Sequence, residues 1–357
     1  MANLLSSSNV SRLKAPHYQS VAQARDAHSL RRILVCVDHS PFSEIGLRYA
    51  VAISKSLGGA ITLLHVMQPA DHRSEPQTTN VLDWEISRQA ASAYLERLAT
   101  EGTKALGRQV ETRLEQGQPV ERITTVAREL DAGLTVLGSQ GEEGAAGRNL
   151  GSTVLQVLAV TRGSVLIARS SSAVDGDFAP KRILVPLDGS VRAESVLPTA
   201  VRIASAHNAE LLLVFVVREP GPTAVQTPED LEVARELAKR LEVSGKRYLE
   251  GLCEQVMREG VSARSVVLRN VDERQSLLEL SQKERTDLIV LSAHGSTCNS
   301  ALVFGGVTAH LLTHSVVSLL VLQDLRDSEL RGPELGGPPP PPRASYPEGA
   351  GPRRQEP

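Results

Sequence analysis

A nine-residue segment written twice constrains this chain more than any other feature. Arg32-Ile-Leu-Val-Cys-Val-Asp38-His-Ser40 returns as Arg182-Ile-Leu-Val-Pro-Leu-Asp188-Gly-Ser190, with six of nine positions identical. Each copy opens a stretch in which short apolar runs alternate with helical periodicity. Self-similarity over so long a period means one structural unit used twice. At roughly 150 residues per domain, the 357 residues hold two such units and tails.

The order of signals in the first unit is strand, helix, strand, helix, strand, helix, strand, helix, strand. Strand 1 ends on Asp38. Pro41 and Ser43 start a helix that runs to Leu57, and Gly58-Gly59 stops it. Residues 60–66, 109–115, 134–137 and 164–168 read as strands, and 83–106, 119–130 and a segment from Ser152 as helices. The second unit predicts strands near 182–187, 210–217, 262–268, 287–291 and 316–322. Its helices fall near 191–206, 228–259, 272–284 and 306–314. Alternation of this kind predicts an α/β fold with helices on both faces of a parallel sheet. Right-handed crossovers then give two tandem doubly wound domains, each with five parallel strands in the order 3-2-1-4-5. In that order strands 1 and 4 are neighbours where the winding reverses, and ligands of such sheets sit beyond the strand ends at that point.

Outside the two units, at 29–170 and 180–325, the composition changes. Residues 171–179 read as a linker. Residues 326–357, with five consecutive prolines from Pro338 to Pro342, read as a disordered tail. Residues 1–28 are Ser-rich with few acids, and a disordered leader is expected there rather than a transit peptide. Aromatics are only 3% of the chain, so Val, Leu, Ile and Ala must build the cores. The formal charge of −2 leaves no basic surplus to drive binding to nucleic acid or to a membrane surface. No apolar run approaches the roughly 20 residues of a membrane-spanning helix. The three cysteines, Cys36, Cys253 and Cys298, form no CxxC pair, which argues against a disulfide framework and suits a reducing cytoplasm.

The chemistry-bearing motif follows strand 4 of the first unit: Gly138-Ser-Gln-Gly141, then nine residues, then Gly151-Ser152-Thr153. Gly138 lets the backbone approach a flat group closely. Gly151-Ser152-Thr153 opens an apolar helix, whose free amides and dipole suit a phosphate. The simpler alternative is a surface loop followed by an ordinary helix cap. Gly-x2-Gly-x9-Gly-Ser/Thr after the fourth strand, with an early Val-Asp-x-Ser, resembles the ATP-binding branch of the universal stress protein family. Leu64-His65-Val66 and Thr286-Asp-Leu-Ile-Val-Leu-Ser292-Ala-His-Gly295 extend the resemblance over both units. It implies that Cys36, Asp38 and Val66 hold adenine, that Leu137 and Gly138 line the adenosine, and that Gly141, Gly151, Ser152 and Thr153 bind ribose and phosphates. The ligand implied is ATP, with Mg²⁺ an option; AMP and cyclic AMP share the adenosine part.

Several positions depart from the pattern. Gln140 stands where many ATP-binding members carry a basic residue. Glu142 and Glu143 would repel phosphate unless turned outward or toward Mg²⁺, and Arg148 could compensate. In the second unit Asp188, Val216, Gly295 and Gly305 remain, but Ser292 replaces the first glycine and Gly306 the Ser/Thr. There Thr308 is expected to substitute in part, with His294 at the basic position. The second unit is read either as a retained but weaker site or as a degenerate, structural half, and the first unit is expected to bind better.

Enzyme signatures are absent. No GxxxxGK[ST] loop, no GxGxxG after a first strand, no HIGH or SGGxDS and no GxSxG occurs. No HExxH metal spacing occurs either. His310 and His314, four apart on the last helix, read as a partly exposed pair, and His65 and Phe215 as packed equivalents in the second strands. By analogy with the family it resembles, the chain is read as a cytoplasmic stress-response protein that senses or carries ATP, altering contacts with a regulatory protein. A slow ATPase or phosphotransferase, and an interaction scaffold with vestigial pockets, are the alternatives. The last strands of the two units are expected to pair with each other, and a homodimer could form in addition.

Overall fold

Strands buried on both faces read as unbroken apolar runs, and that is how the inner strands of the sheet are built in the computed structural model, which describes residues 30–68, 81–140, 150–161, 163–169, 179–220, 227–296 and 302–323. The leader, the linker through residue 178, the tail, and Gly141, Glu142, Glu143, Arg148 and Cys298 lie outside the described residues. The first half contains β1 (Arg32–Cys36), α1 (Pro41–Leu57), β2 (Ala60–Met67), α2 (Val81–Leu106), β3 (Glu111–Gln116), α3 (Pro119–Glu129), β4 (Leu134–Gly138), α4 (Ser152–Val160) and β5 (Ser164–Ala168). The second contains β6 (Arg182–Leu187), α5 (Val191–Glu194), α6 (Leu197–His207), β7 (Glu210–Arg218), α7 (Pro228–Arg258), β8 (Ala263–Asn270), α8 (Glu273–Lys283), β9 (Leu288–Ser292), α9 (Gly306–His314) and β10 (Ser318–Leu322).

All ten strands join in one sheet, in the order β3-β2-β1-β4-β5-β10-β9-β6-β7-β8. Each half has the 3-2-1-4-5 order and is parallel throughout. The halves meet where β5 and β10 pair antiparallel, with Leu320 opposite Leu166. Ser164 and Ser318 finish this seam in matching fashion. The Arg169 amide donates to Ser318 Oγ at 2.9 Å, and the Gln323 amide donates to Ser164 Oγ at 3.1 Å. Two apolar layers, one on each face, run across both halves. One packs α1, α2, α6 and α7 on the sheet; the other packs α3, α4, α8 and α9. Helices α1 and α6 touch across the join, where His207 Nε2 donates to the Ala52 carbonyl at 3.0 Å. Tyr49 Oη also crosses it, donating to the Asp287 carbonyl at 2.9 Å.

The outer strands β3 and β8 carry ion pairs, as edges open to pairing commonly do. Arg113 bonds Glu115 and Glu129 on one edge, and Arg269 bonds Glu219 and Glu242 on the other. One expected element is split. The helix predicted over 191–206 breaks between α5 and α6, whereas α1, its counterpart, is continuous. Pro198 explains the break. It has no N–H for the Glu194 carbonyl and sits in the first turn of α6, while the corresponding place in α1 holds Arg48. The last strand begins at Ser318, two residues later than expected, because Ser315 Oγ ties up the Val317 amide and carbonyl in a turn.

Candidate functional site

β1 hands the chain to α1 through Asp38-His39-Ser40. Ser40 caps α1, its side chain accepting the Ser43 amide at 3.2 Å. The same hydroxyl donates to Asp38 Oδ1 at 2.6 Å, and the Ser40 amide reaches that oxygen at 3.2 Å. One carboxylate oxygen is thus held in place by the turn. Among the described residues no donor reaches the other, Oδ2.

A short run of hydrogen bonds links this carboxylate to the glycine motif. Ser40 Oγ lies 3.3 Å from the Gln140 carbonyl oxygen. The Ser139 amide donates to the Ala168 carbonyl at 2.9 Å, and the Gly151 amide donates to the Ser139 carbonyl at 2.9 Å. Gly151 is the N-cap of α4 and, lacking a side chain, leaves the first amides of that helix without a side-chain cap. Ser152, on the first turn, is exposed and Thr153 half-buried. Asp38, Gly138, Gly151, Ser152 and Thr153 are therefore brought together at the carboxyl ends of β1 and β4.

Strand alternation sorts the remaining residues by face. Cys36, Val66 and Leu137 all belong to the layer that packs on α3 and α4, beside Leu150 and Val154. They form one apolar floor beneath the α4 terminus. Burial, then the neighbouring Asp38, push the Cys36 thiol far above its usual range. Cys36 is thus a neutral, apolar lining group rather than a nucleophile.

Gly138 has a different cause from the one its motif suggests. A Cβ there would come 2.9 Å from the Ser43 amide nitrogen and 3.0 Å from the Phe42 carbonyl carbon. The close neighbour is the backbone of α1, which must enter its first turn flush against the end of β4. Gly138→Ala is accordingly expected to cost about 1–3 kcal/mol of stability by forcing α1 outward. A Tm equal to wild type in thermal unfolding would show that the helix has room to move.

Sequence reasoning missed what stands behind Asp38. His39 has φ 64°, a left-handed conformation for which the second half uses Gly189 at φ 77°. Its ring stacks on Tyr94 with centroids 3.8 Å apart, and its amide donates to Tyr94 Oη at 3.2 Å. His65 stands edge-on at 5.1 Å and bonds the Val37 carbonyl through Nδ1 at 2.8 Å. A signal for Tyr94 existed: Tyr94-Leu-Glu-Arg-Leu98 recurs as Tyr248-Leu-Glu-Gly-Leu252. Tyr248 serves differently, donating to the buried Glu194 carboxylate at 3.0 Å. Glu44, the counterpart of Glu194, instead turns out to Arg97 at 2.7 Å, and the place of Arg97 in the second motif is taken by Gly251.

In the second half Ser190 holds Asp188 Oδ1 in the same way, with its hydroxyl at 2.6 Å and its amide at 3.0 Å. Val216 lies on the face equivalent to that of Val66. Gly305 caps α9, and Gly295 lies directly against Asp188. Two expectations fail here. Thr308 is buried and donates its hydroxyl to the Ser292 carbonyl at 2.9 Å, so it cannot stand in for the phosphate-motif hydroxyl. His294 is buried too, its Nε2 3.0 Å from the Leu302 carbonyl oxygen, and offers no outward cation.

Glu273 opens α8 where Pro119 opens α3. Burial, then Asp188, raise its carboxyl pKa. A raised native pKa makes the ionised form costly in the fold. The penalty is absent below the ordinary glutamate range and grows as pH climbs through the native value. Glu273→Gln is expected to raise Tm at pH 7, with the gain fading as pH falls toward about 4; a gain that does not change with pH would contradict this.

The model of the universal stress protein family matches residues 29–169 and again 180–323. The chain belongs to the universal stress protein family. Among curated universal stress proteins, one from Mycolicibacterium smegmatis is 26% identical over 304 residues, 82% of this chain and 96% of that protein. One from Mycobacterium tuberculosis is 25% identical over 286 residues, 77% of this chain and 90% of the other. Among solved structures, a universal stress protein from Archaeoglobus fulgidus superposes with a TM-score of 0.55 at 20% identity, covering 82% of this chain and 98% of that one. That likeness concerns the fold alone, and it extends over both halves of this universal stress protein.

Proposed function

We propose that this universal stress protein binds ATP in the pocket of its first half, and that nucleotide occupancy alters its contacts with a regulatory protein in the cytoplasm. The observation that carries the reading is the junction of Asp38 with the α4 terminus. A fixed carboxylate and a helix start with uncapped amides stand above the apolar floor of Cys36, Val66 and Leu137. A purine suits the floor, its amino group suits a carboxylate acceptor, and the phosphates suit the amides. Gly141 would add a further amide. The segment between Gly138 and α4 begins at Ser139, whose amide bonds the Ala168 carbonyl at the end of β5, so ligand contacts there bias the strand nearest the join.

The test is equilibrium dialysis of the full chain with ATP, followed by mass analysis of the retained nucleotide. Retention of unchanged ATP over hours, lost in Asp38→Ala, supports binding. Multiple turnovers would convert the reading to an ATPase. No uptake at millimolar ATP would leave a scaffold with vestigial pockets.

A further inference from the structure

The two aspartates of the repeat are held alike at one oxygen, and the second half also shows what occupies the other. Asp38 and Asp188 each give Oδ1 to the serine two residues on, with nearly the same distances. Asp188 also gives Oδ2 to a backbone amide of its own loop, that of Ser296, at 2.6 Å. Gly295 lies so close to that oxygen that any Cβ would overlap it, so the loop seats there only because residue 295 is glycine. The described residues on either side of the loop are bonded as well. Ser292 Oγ donates to the His294 carbonyl at 2.7 Å, and the Gly305 amide donates to the Ala293 carbonyl at 2.8 Å. The Thr308 hydroxyl and the His294 ring are spent inward as well. A ligand amino group would have to displace a charge-assisted hydrogen bond that the chain already makes.

From this geometry we infer that the pocket of the second half is liganded by its own loop: the Ser296 amide occupies the Asp188 carboxylate, and the chain takes one nucleotide rather than two. The stoichiometry rests on the proposed nucleotide reading; the self-liganding does not. The loop amide does in the second half what a bound amino group would do in the first. The second half thereby becomes a fixed brace on which the first half is mounted.

Two measurements on the full chain test this. Calorimetric titration with ATP is expected to give one equivalent per chain, removed by Asp38→Ala and retained in Asp188→Ala; two equivalents would overturn the inference. Amide hydrogen exchange, read by NMR without any nucleotide, is expected to show Ser296 protected in the wild type. In Asp188→Ala that protection should fall at least about tenfold, with Tm lower by roughly 2–4 °C. An unprotected Ser296 in the wild type, or protection that survives Asp188→Ala, would refute it. If ATP does not bind at all, the nucleotide reading falls, and the exchange experiment still decides whether the loop seals the pocket.

Discussion

Gly151→Trp is expected to reduce ATP affinity by about 100-fold or more, equivalent to about 2.7 kcal/mol, while leaving the fold intact. Gly151 sits at φ −63° and ψ 155°, a conformation open to any residue, so the substitution carries no backbone strain. Replacing glycine at an N-cap position with a residue that cannot cap costs about 1 kcal/mol at most. The Gly151 amide keeps its bond to Ser139. What the indole takes is the space in front of the first amides of α4, where phosphates would collect. Binding by dialysis and Tm by circular dichroism separate the two effects. Unchanged affinity with an unchanged Tm would remove the phosphates from this helix terminus.

The second large effect concerns the seam. Leu320 is fully buried, faces Leu166 across the antiparallel pair and packs in the layer shared by α1 and α6. Leu320→Asp would bury a carboxylate in an apolar layer, a cost of about 4–5 kcal/mol or more. Because this strand couples the halves, the expected result in urea is separate transitions for the two halves at lower midpoints, in place of joint unfolding. Leu320→Met, which conserves volume, is the control and should cost less than about 1.5 kcal/mol. A wild-type urea profile for the aspartate variant would mean that the halves do not depend on the seam.

The repeated Arg-Ile-Leu-Val segment and the apolar runs located the inner strands, because a sheet covered on both faces leaves little room for polar residues inside a strand, while the polar edge strand β3 was legible only from alternation. Their neighbours followed from crossover handedness. The break before Pro198 was visible in principle, since proline inside a helical pattern ends it, but amphipathic spacing across Leu197, Ala200 and Ile203 masked the cue. Gly138 was legible as a position that excludes side chains. What excludes them, the first turn of α1, is a contact between residues about 95 apart and leaves no local trace. Thr308 shows the converse. A hydroxyl near the right place in a motif says nothing about which carbonyl it faces, and here it faces Ser292. The seal on Asp188 depends on the direction of a single peptide amide, which composition and periodicity do not encode.

The meeting of β5 and β10 in opposite directions has a consequence for signalling. Every strand of the first half carries its carboxyl end to one rim of the molecule, and every strand of the second carries it to the other. Asp38 and Asp188 therefore look out on opposite sides, and no ligand of nucleotide size can span them. A protein that grips the rim at Asp38 has no direct view of Asp188. A message between the rims would be mechanical, passed through strand-to-strand bonding, the paired serines at Ser164 and Ser318, and the contact of α1 with α6.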